Sequence, residues 1–452
     1  MSFPRRWWEH LRGSPQWPLL RSVAQGAGVA LMAQAAAVGM VYCSQIFLAR
    51  WMGSVEFGIY EYVVALATLL SILPALGLPT MALRLIAEYR VTQQWGQLWG
   101  LVQGSWLMIL GSSSFLTLGI VGLLKLWHPP DWIYFRSLLV GIWMIPLLGL
   151  TQLQIEMARS MQKVLLAYFP SQVITPILIL VGVVILLQQG LPINSLSVLG
   201  LSLAALTIVL LAQALLIWEQ FKIQFPRVKP VHTPRKWLVI ALPLLAEGVL
   251  FIFLNQTDIV MIGALKTAQD VGIYSAAIKT AVWISFVLRA VNTVIAPVFT
   301  TLYTQKDYQG LRSLVMTVTH WMFWPSLGIA LGLVIFARPI LQLFGPEFTA
   351  ARLPLFALII GQLFNVGCGS VGYLMIMTGH QNQSAIILGW GALANVILNA
   401  VLIPPFGILG AAIATALSMI LWNVWLHVLV VRYLNVYPSI FYAVFRPGLK
   451  NQ

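Results

Sequence analysis

The sequence predicts an all-α polytopic membrane protein of about 12 transmembrane helices. They form two six-helix bundles related by a parallel pseudo-two-fold repeat around a central cavity. Three observations carry this reading. Of the 452 residues, 60% are hydrophobic and only 8% charged, with a mean hydropathy of +0.88; an average soluble domain carries roughly 25% charged residues. Apolar runs long enough to cross a bilayer as helix, about 20 residues each, recur along the whole chain. One tripeptide also returns half a chain later, at the matching loop of each half.

The spans are expected at 25–48, 58–78, 98–124, 134–153, 165–187, 195–217, 238–262, 272–298, 314–336, 354–377, 385–403 and 408–431. Gly and Pro inside these runs do not argue against helix, because lipid forbids unpaired backbone groups and neighbouring helices tolerate kinks. The first run is too long for a secretory leader, so a retained span is expected. Before it, residues 1–23 hold Pro4-Arg5-Arg6-Trp7-Trp8, bases mixed with tryptophans, which suits a cytoplasmic segment lying in the headgroup region. The N-terminal bundle is assigned to 24–217 and the C-terminal bundle to 238–431. Between them, 218–237 carries five bases with Pro226, Pro230 and Pro234 and reads as a basic cytoplasmic linker. Residues 432–452 form the tail.

Charge tests the layout. With the N-terminus inside, 18 Lys/Arg fall on inside segments and 6 on outside ones, the bias of the positive-inside rule. Both termini are then cytoplasmic. The net charge of +14 is explained by topology and by attraction to anionic lipid, with no call for nucleic acid.

Gly58-Ile59-Tyr60 follows the first span and Gly272-Ile273-Tyr274 the seventh, 214 residues on; each is preceded by an acid and a hydrophobe, Glu56-Phe57 and Asp270-Val271. Six spans per half is an even number, so the repeat is parallel, about an axis along the membrane normal.

Several motifs are refused. Gly367-Cys368-Gly369-Ser370-Val371-Gly372 fits a dinucleotide pattern, but it lies in an apolar span with no strand before it. It reads as small residues at a close helix approach, as do Gly328-Ile329-Ala330-Leu331-Gly332 and Gly100-Leu101-Val102-Gln103-Gly104. The six histidines never cluster at metal-ligand spacing, and no loop has room for a catalytic domain. A non-enzyme without cofactor is expected.

Ionisable groups inside spans are costly and mark function by default. Glu247 and Asp258 lie 11 apart on the seventh span, about 20° from one another around the helix. They are candidates for binding a coupling proton or Na⁺. Lys279 and Arg289 on the eighth span are about 80° apart; Arg offers a planar fork suited to phosphate oxygens. Arg50 and Glu61 belong to the mouth of the first hairpin, and Gln34 and Gln45, on one face of the first span, suit sugar hydroxyls or helix bridging. The competing structural reading pairs Glu247 or Asp258 with Lys279 or Arg289 simply to neutralise buried charge.

Several segments together resemble the polysaccharide transporter (Wzx-like oligosaccharide flippase) family of the multidrug/oligosaccharidyl-lipid/polysaccharide (MOP) flippase superfamily. They are Leu48-Ala49-Arg50-Trp51-Met52-Gly53 into Glu56-Phe57-Gly58-Ile59-Tyr60; Thr257-Asp258-Ile259-Val260-Met261-Ile262-Gly263 into Val271-Gly272-Ile273-Tyr274; Leu343-Phe344-Gly345-Pro346-Glu347-Phe348; Met377-Thr378-Gly379-His380-Gln381; and Leu398-Asn399 with Phe406-Gly407-Ile408-Leu409-Gly410 through Thr415. The resemblance implies a cavity open alternately to each side. It also implies that an undecaprenyl-diphosphate-linked oligosaccharide is moved across the bacterial cytoplasmic membrane for polysaccharide biosynthesis. Substrate contacts then fall to Arg289, Lys279, Arg50, Gln34 and Gln45. The partners expected are the lipid-linked substrate, membrane lipid and polysaccharide polymerase machinery. Two rivals stay open: a cation-coupled drug exporter of the multidrug and toxin extrusion branch, and a non-transporting membrane partner of polysaccharide assembly.

Overall fold

The computed structural model describes residues 17–127 and 132–440, with side chains from Ala35 onward apart from a few positions that include Glu247. The expected headgroup segment before Trp17, the tail from residue 441 and the side chains of Gln34 and Glu247 lie outside the described residues.

Among the described residues, ten helices are long and apolar enough to cross a membrane, and two of them are double. Trp17–Ala75 is broken at Gly53 (φ 76°) and so supplies two spans, α1 over 17–52 and α2 over 54–75. Gln381–Leu434 is broken at Gly407 (φ 57°) in the same way, giving α11 over 381–406 and α12 over 408–434. Only glycine adopts such φ without strain. The expected loops at these two places are therefore single-residue breaks. Between the double helices run α3 (Trp95–Trp127), α4 (Phe135–Ser160), α5 (Val164–Gln188), α6 (Ser195–Gln224), α7 (Pro234–Leu265), α8 (Ala268–Thr304), α9 (Tyr308–Ile335) and α10 (Pro346–Gly367). The total matches the twelve spans expected, and the chain is a multi-pass membrane protein.

Local chemistry sets the ends. The Asn194 side chain caps α6 by accepting from Ser197 N at 2.9 Å, and Thr267 with Asp270 closes a capping box at the start of α8, each satisfying helix N–H groups that have no partner within the helix. After Pro74, Leu76 and Gly77 take positive φ, and Leu78–Val91 then prolongs α2.

The two halves meet along α8, which packs on α1 and α2, and along α7, which packs on α2 and its prolongation. The repeated tripeptides sit at this junction. A Cβ on Gly58 would collide with the Ala268 carbonyl, and one on Gly272 with the Ser54 carbonyl. Phe57 meets Phe348 edge-on at 6.0 Å, and Ser54 N donates to Glu347 Oε1 at 3.2 Å. The halves are closed on one another at this end.

The linker is strapped to the N-terminal half. Val231 N donates to Gly96 O at 2.8 Å and Trp99 Nε1 to Pro226 O at 2.9 Å. A Cβ on Gly100 would strike Val231 backbone, and one on Gly104 the buried ring of Trp237. Gly104 thus admits a helix, the first turn of α7, as expected, whereas Gly100 admits the extended linker instead. Gly328 and Gly332 have open space around them among the described residues, so the close approach expected there is not seen. At the C-terminal end the chain folds back under α9: Thr319 Oγ1 donates to Pro438 O at 2.7 Å and Arg312 Nη2 to Asn435 O at 2.6 Å.

Candidate functional site

The junction of the halves carries a charged centre. Lys279 lies seven residues beyond Gly272 on α8, about 10 Å along the helix from the closed crossing. Its ammonium donates to Glu61 Oε1 of α2 at 2.5 Å and to Gln45 Oε1 of α1 at 2.7 Å, and it stands 5.6 Å from the centre of the Phe57 ring. The next residue, Thr280, shares a 2.9 Å hydrogen bond with the Tyr42 hydroxyl, and Tyr42 packs edge-on against Trp283 and Phe344. Burying an ammonium in low dielectric costs several kcal/mol unless it is paired and hydrogen-bonded. Glu61 and Gln45 meet that requirement from the opposite half.

A second centre lies within the C-terminal half. Asp258, buried on α7, accepts from Tyr274 Oη at 2.8 Å, from Asn399 Nδ2 at 2.7 Å and from the Thr415 hydroxyl. Asn399 Nδ2 also donates to Asn395 Oδ1 at 3.0 Å, and Asn395 Nδ2 to Ser418 Oγ at 3.2 Å. Four helices, α7, α8, α11 and α12, thus converge on one carboxylate through neutral donors. Among the described residues the Asn399 side-chain oxygen is buried without a donor. The carboxylate faces one amide N–H and two hydroxyls, all donating to it, so it is held as a hydrogen-bond acceptor in a site from which water is excluded.

The sequence-derived candidates separate accordingly. Lys279 and Gln45 come together, with Glu61 as the third member. The structural reading that pairs Glu247 or Asp258 with Lys279 or Arg289 is corrected: Lys279 pairs with Glu61 instead and Asp258 takes hydroxyl and amide donors, while the Glu247 side chain lies outside the described residues. Arg289 is exposed and donates to Ser285 Oγ at 3.1 Å. Arg50 is exposed near the end of α1, apart from the Lys279 centre. Tyr274, Asn395, Asn399 and Thr415 were not among the candidate site residues. The available signal was Asn395 and Asn399, one turn apart in an apolar helix, where buried amides need partners.

Comparison with known proteins agrees with this architecture. Residues 23–303, more than half of the chain, match the family described as "Polysaccharide biosynthesis protein", and residues 243–401 match the MatE family. The chain is 30% identical over 195 residues to the "Probable low-salt glycan biosynthesis flippase Agl15" of Haloferax volcanii; this covers 42% of the chain and 39% of that relative's length. Among solved structures it resembles an inward-facing MATE-family multidrug transporter of the MOP superfamily (TM-score 0.69, 12% identity, 88% of this chain and 94% of that one). It also resembles the lipid II flippase MurJ in an inward closed conformation (TM-score 0.64, 14% identity, 94% of each chain). The family match over residues 23–303, on a chain with this helix order and this repeat at the junction, assigns the protein to the polysaccharide biosynthesis protein family.

Proposed function

We propose that this protein flips an undecaprenyl-diphosphate-linked oligosaccharide across the bacterial cytoplasmic membrane, both termini inside, by alternating access between its halves. Lys279 and Arg289 receive the diphosphate. Asp258, together with Glu247, takes up the proton or Na⁺ that drives the cycle. The observation that carries this reading is that both cations belong to α8, the helix along the junction. Lys279 stands near the closed end, and Arg289 is ten residues further, about 15 Å down the helix.

The physical requirement is modest. A diphosphate cannot enter low dielectric without compensating charge, whereas its polyprenyl tail never has to leave the lipid. No bond is made or broken. The relative named a probable glycan flippase supports a lipid-linked glycan as cargo.

The test is charge reversal. Arg289→Glu is expected to stop lipid-linked oligosaccharide from reaching the outer leaflet while the protein still inserts, and Arg289→Lys to retain part of the activity because charge survives without the fork. Undiminished flipping by Arg289→Glu rules out its role. The MatE match over 243–401 favours cation-coupled drug export as the second reading; a drug exporter should survive Lys279→Gln combined with Arg289→Gln.

A further inference from the structure

We infer that Glu61 is a built-in stand-in for the substrate anion: it holds Lys279 until a diphosphate takes its place, and that exchange unlocks the closed end. The inference rests on the diphosphate reading above and adds to it a residue that times opening.

The geometry leads there in steps. Two ion pairs occur among the described residues. Arg159–Glu156 lies within one helix, and Lys279–Glu61 alone joins the two halves. Other ties across the junction are the glycine crossing, the Phe57–Phe348 contact, the Ser54–Glu347 hydrogen bond, and Tyr42 with its hydrogen bond to Thr280 and its ring contacts; none of these presents a cation to an incoming anion. A charged cargo therefore has one tie it can act on. The ammonium has three donors; Glu61 and Gln45 take two, leaving one to be met by a phosphate oxygen before Glu61 departs. Lys279 is the accessible member, its side chain 25% exposed against 5% for Glu61. An incoming anion therefore meets the Lys279 side chain before it meets Glu61.

Exchange then favours the diphosphate. It brings more negative charge than one carboxylate, and an ammonium is a point charge that changes partners without the geometric demands of a guanidinium fork. Once Lys279 has turned to the diphosphate, Glu61 no longer ties α2 to α8. A ligand shifts a conformational equilibrium only by its differential affinity for the two states. Here the difference is the broken pair, so opening waits for cargo.

The experiment uses the full chain in phosphatidylethanolamine–phosphatidylglycerol vesicles, with Cys43 and Cys368 replaced and spin labels at Val55 and Gln269. Both positions are exposed, at the closed ends of α2 and α8. Undecaprenyl diphosphate should lengthen the distance between the labels, and undecaprenol should not. In Glu61→Gln the longer distance should be populated without ligand, and undecaprenyl diphosphate should bind about tenfold tighter, since it no longer competes with a carboxylate. Lys279→Gln should bind weakly and show no ligand-induced lengthening. Glu61→Asp, which keeps the charge, should stay closed without ligand and covers the case in which Glu61→Gln does not insert. If the parent protein binds undecaprenyl diphosphate and Glu61→Gln changes neither distance nor affinity, the stand-in role is overturned and the substrate reading survives. If Glu61→Asp is open without ligand, the charge is not the tie and the inference falls. A parent protein that does not bind undecaprenyl diphosphate overturns both.

Discussion

Gly58 and Gly272 each occupy the space the other's side chain would need: a Cβ on Gly58 would come 2.8 Å from Gly272 N, and a Cβ on Gly272 3.2 Å from Gly58 N. The internal repeat is thus also the contact between the repeats. Overpacking such a crossing costs about 1–3 kcal/mol, and the cost falls on the closed form alone. Gly58→Ala should therefore raise the population open at this end by about fivefold or more. A cysteine at Ser275, buried one turn beyond Gly272, reports it. Faster modification by a membrane-impermeant thiol reagent is the expected result, and an unchanged rate refutes it.

Orientation follows from the charge bias. Cysteines at Val228 in the linker and Gln269 at the start of α8, both exposed, should differ in intact cells: Gln269→Cys is labelled by an impermeant reagent and Val228→Cys is not. The reverse pattern would invert the topology.

Asp258 tests the coupling. Asp258→Asn keeps the shape of the site and its Tyr274, Asn399 and Thr415 neighbours but removes the charge. Transport should lose its dependence on the proton or sodium gradient, with the residual rate equal at all gradients. Because the carboxylate accepts hydrogen bonds from three side chains, a stability loss of about 1–3 kcal/mol is also expected. A variant that keeps full gradient dependence excludes Asp258 as the ion site.

The strap between the halves gives a fourth expectation. Gly100→Ala drives a methyl group into Val231 backbone and should lift residues 225–233 from α3. Trypsin should then cut faster at the exposed Arg227, which Val228 follows, and the unfolding midpoint should fall, in line with about 1–3 kcal/mol of overpacking. Unaltered proteolysis would show that the linker does not depend on this contact.

The spans were legible in the sequence because bilayer thickness sets a length that apolar runs must match, and the repeat because both copies kept Gly-Ile-Tyr. The partner of Lys279 was not. Helical periodicity relates residues on one helix or on adjacent ones, whereas Glu61 stands 218 residues away in the other half. Only the packing of the halves brings the two together. The same limit applies to Gly100 and Gly104. Small residues announce a close approach, but not whether a helix, an extended linker or an indole ring is what approaches. Asp258 stood out as a buried charge, yet its amide and hydroxyl partners came from α8, α11 and α12, which nothing in the local pattern of α7 indicates.

The seat of Trp237 in the N-terminal half has a mechanical meaning. Trp237 and Ala241 are buried against that half, next to Gly104 and Gly77, while Asp258, further along the same helix, is bonded into the C-terminal half. Helix α7 spans 32 residues with Pro243 just beyond the rooted turn, where a helix bends most easily, and a swing of roughly 10° there displaces Leu265, about 33 Å further along, by about 6 Å. That far end, at Leu265, is three residues from the carbonyl of Ala268 against which Gly58 rests. With the pivot and the gate at opposite ends of one lever, a small angle at Pro243 suffices to part the two glycines.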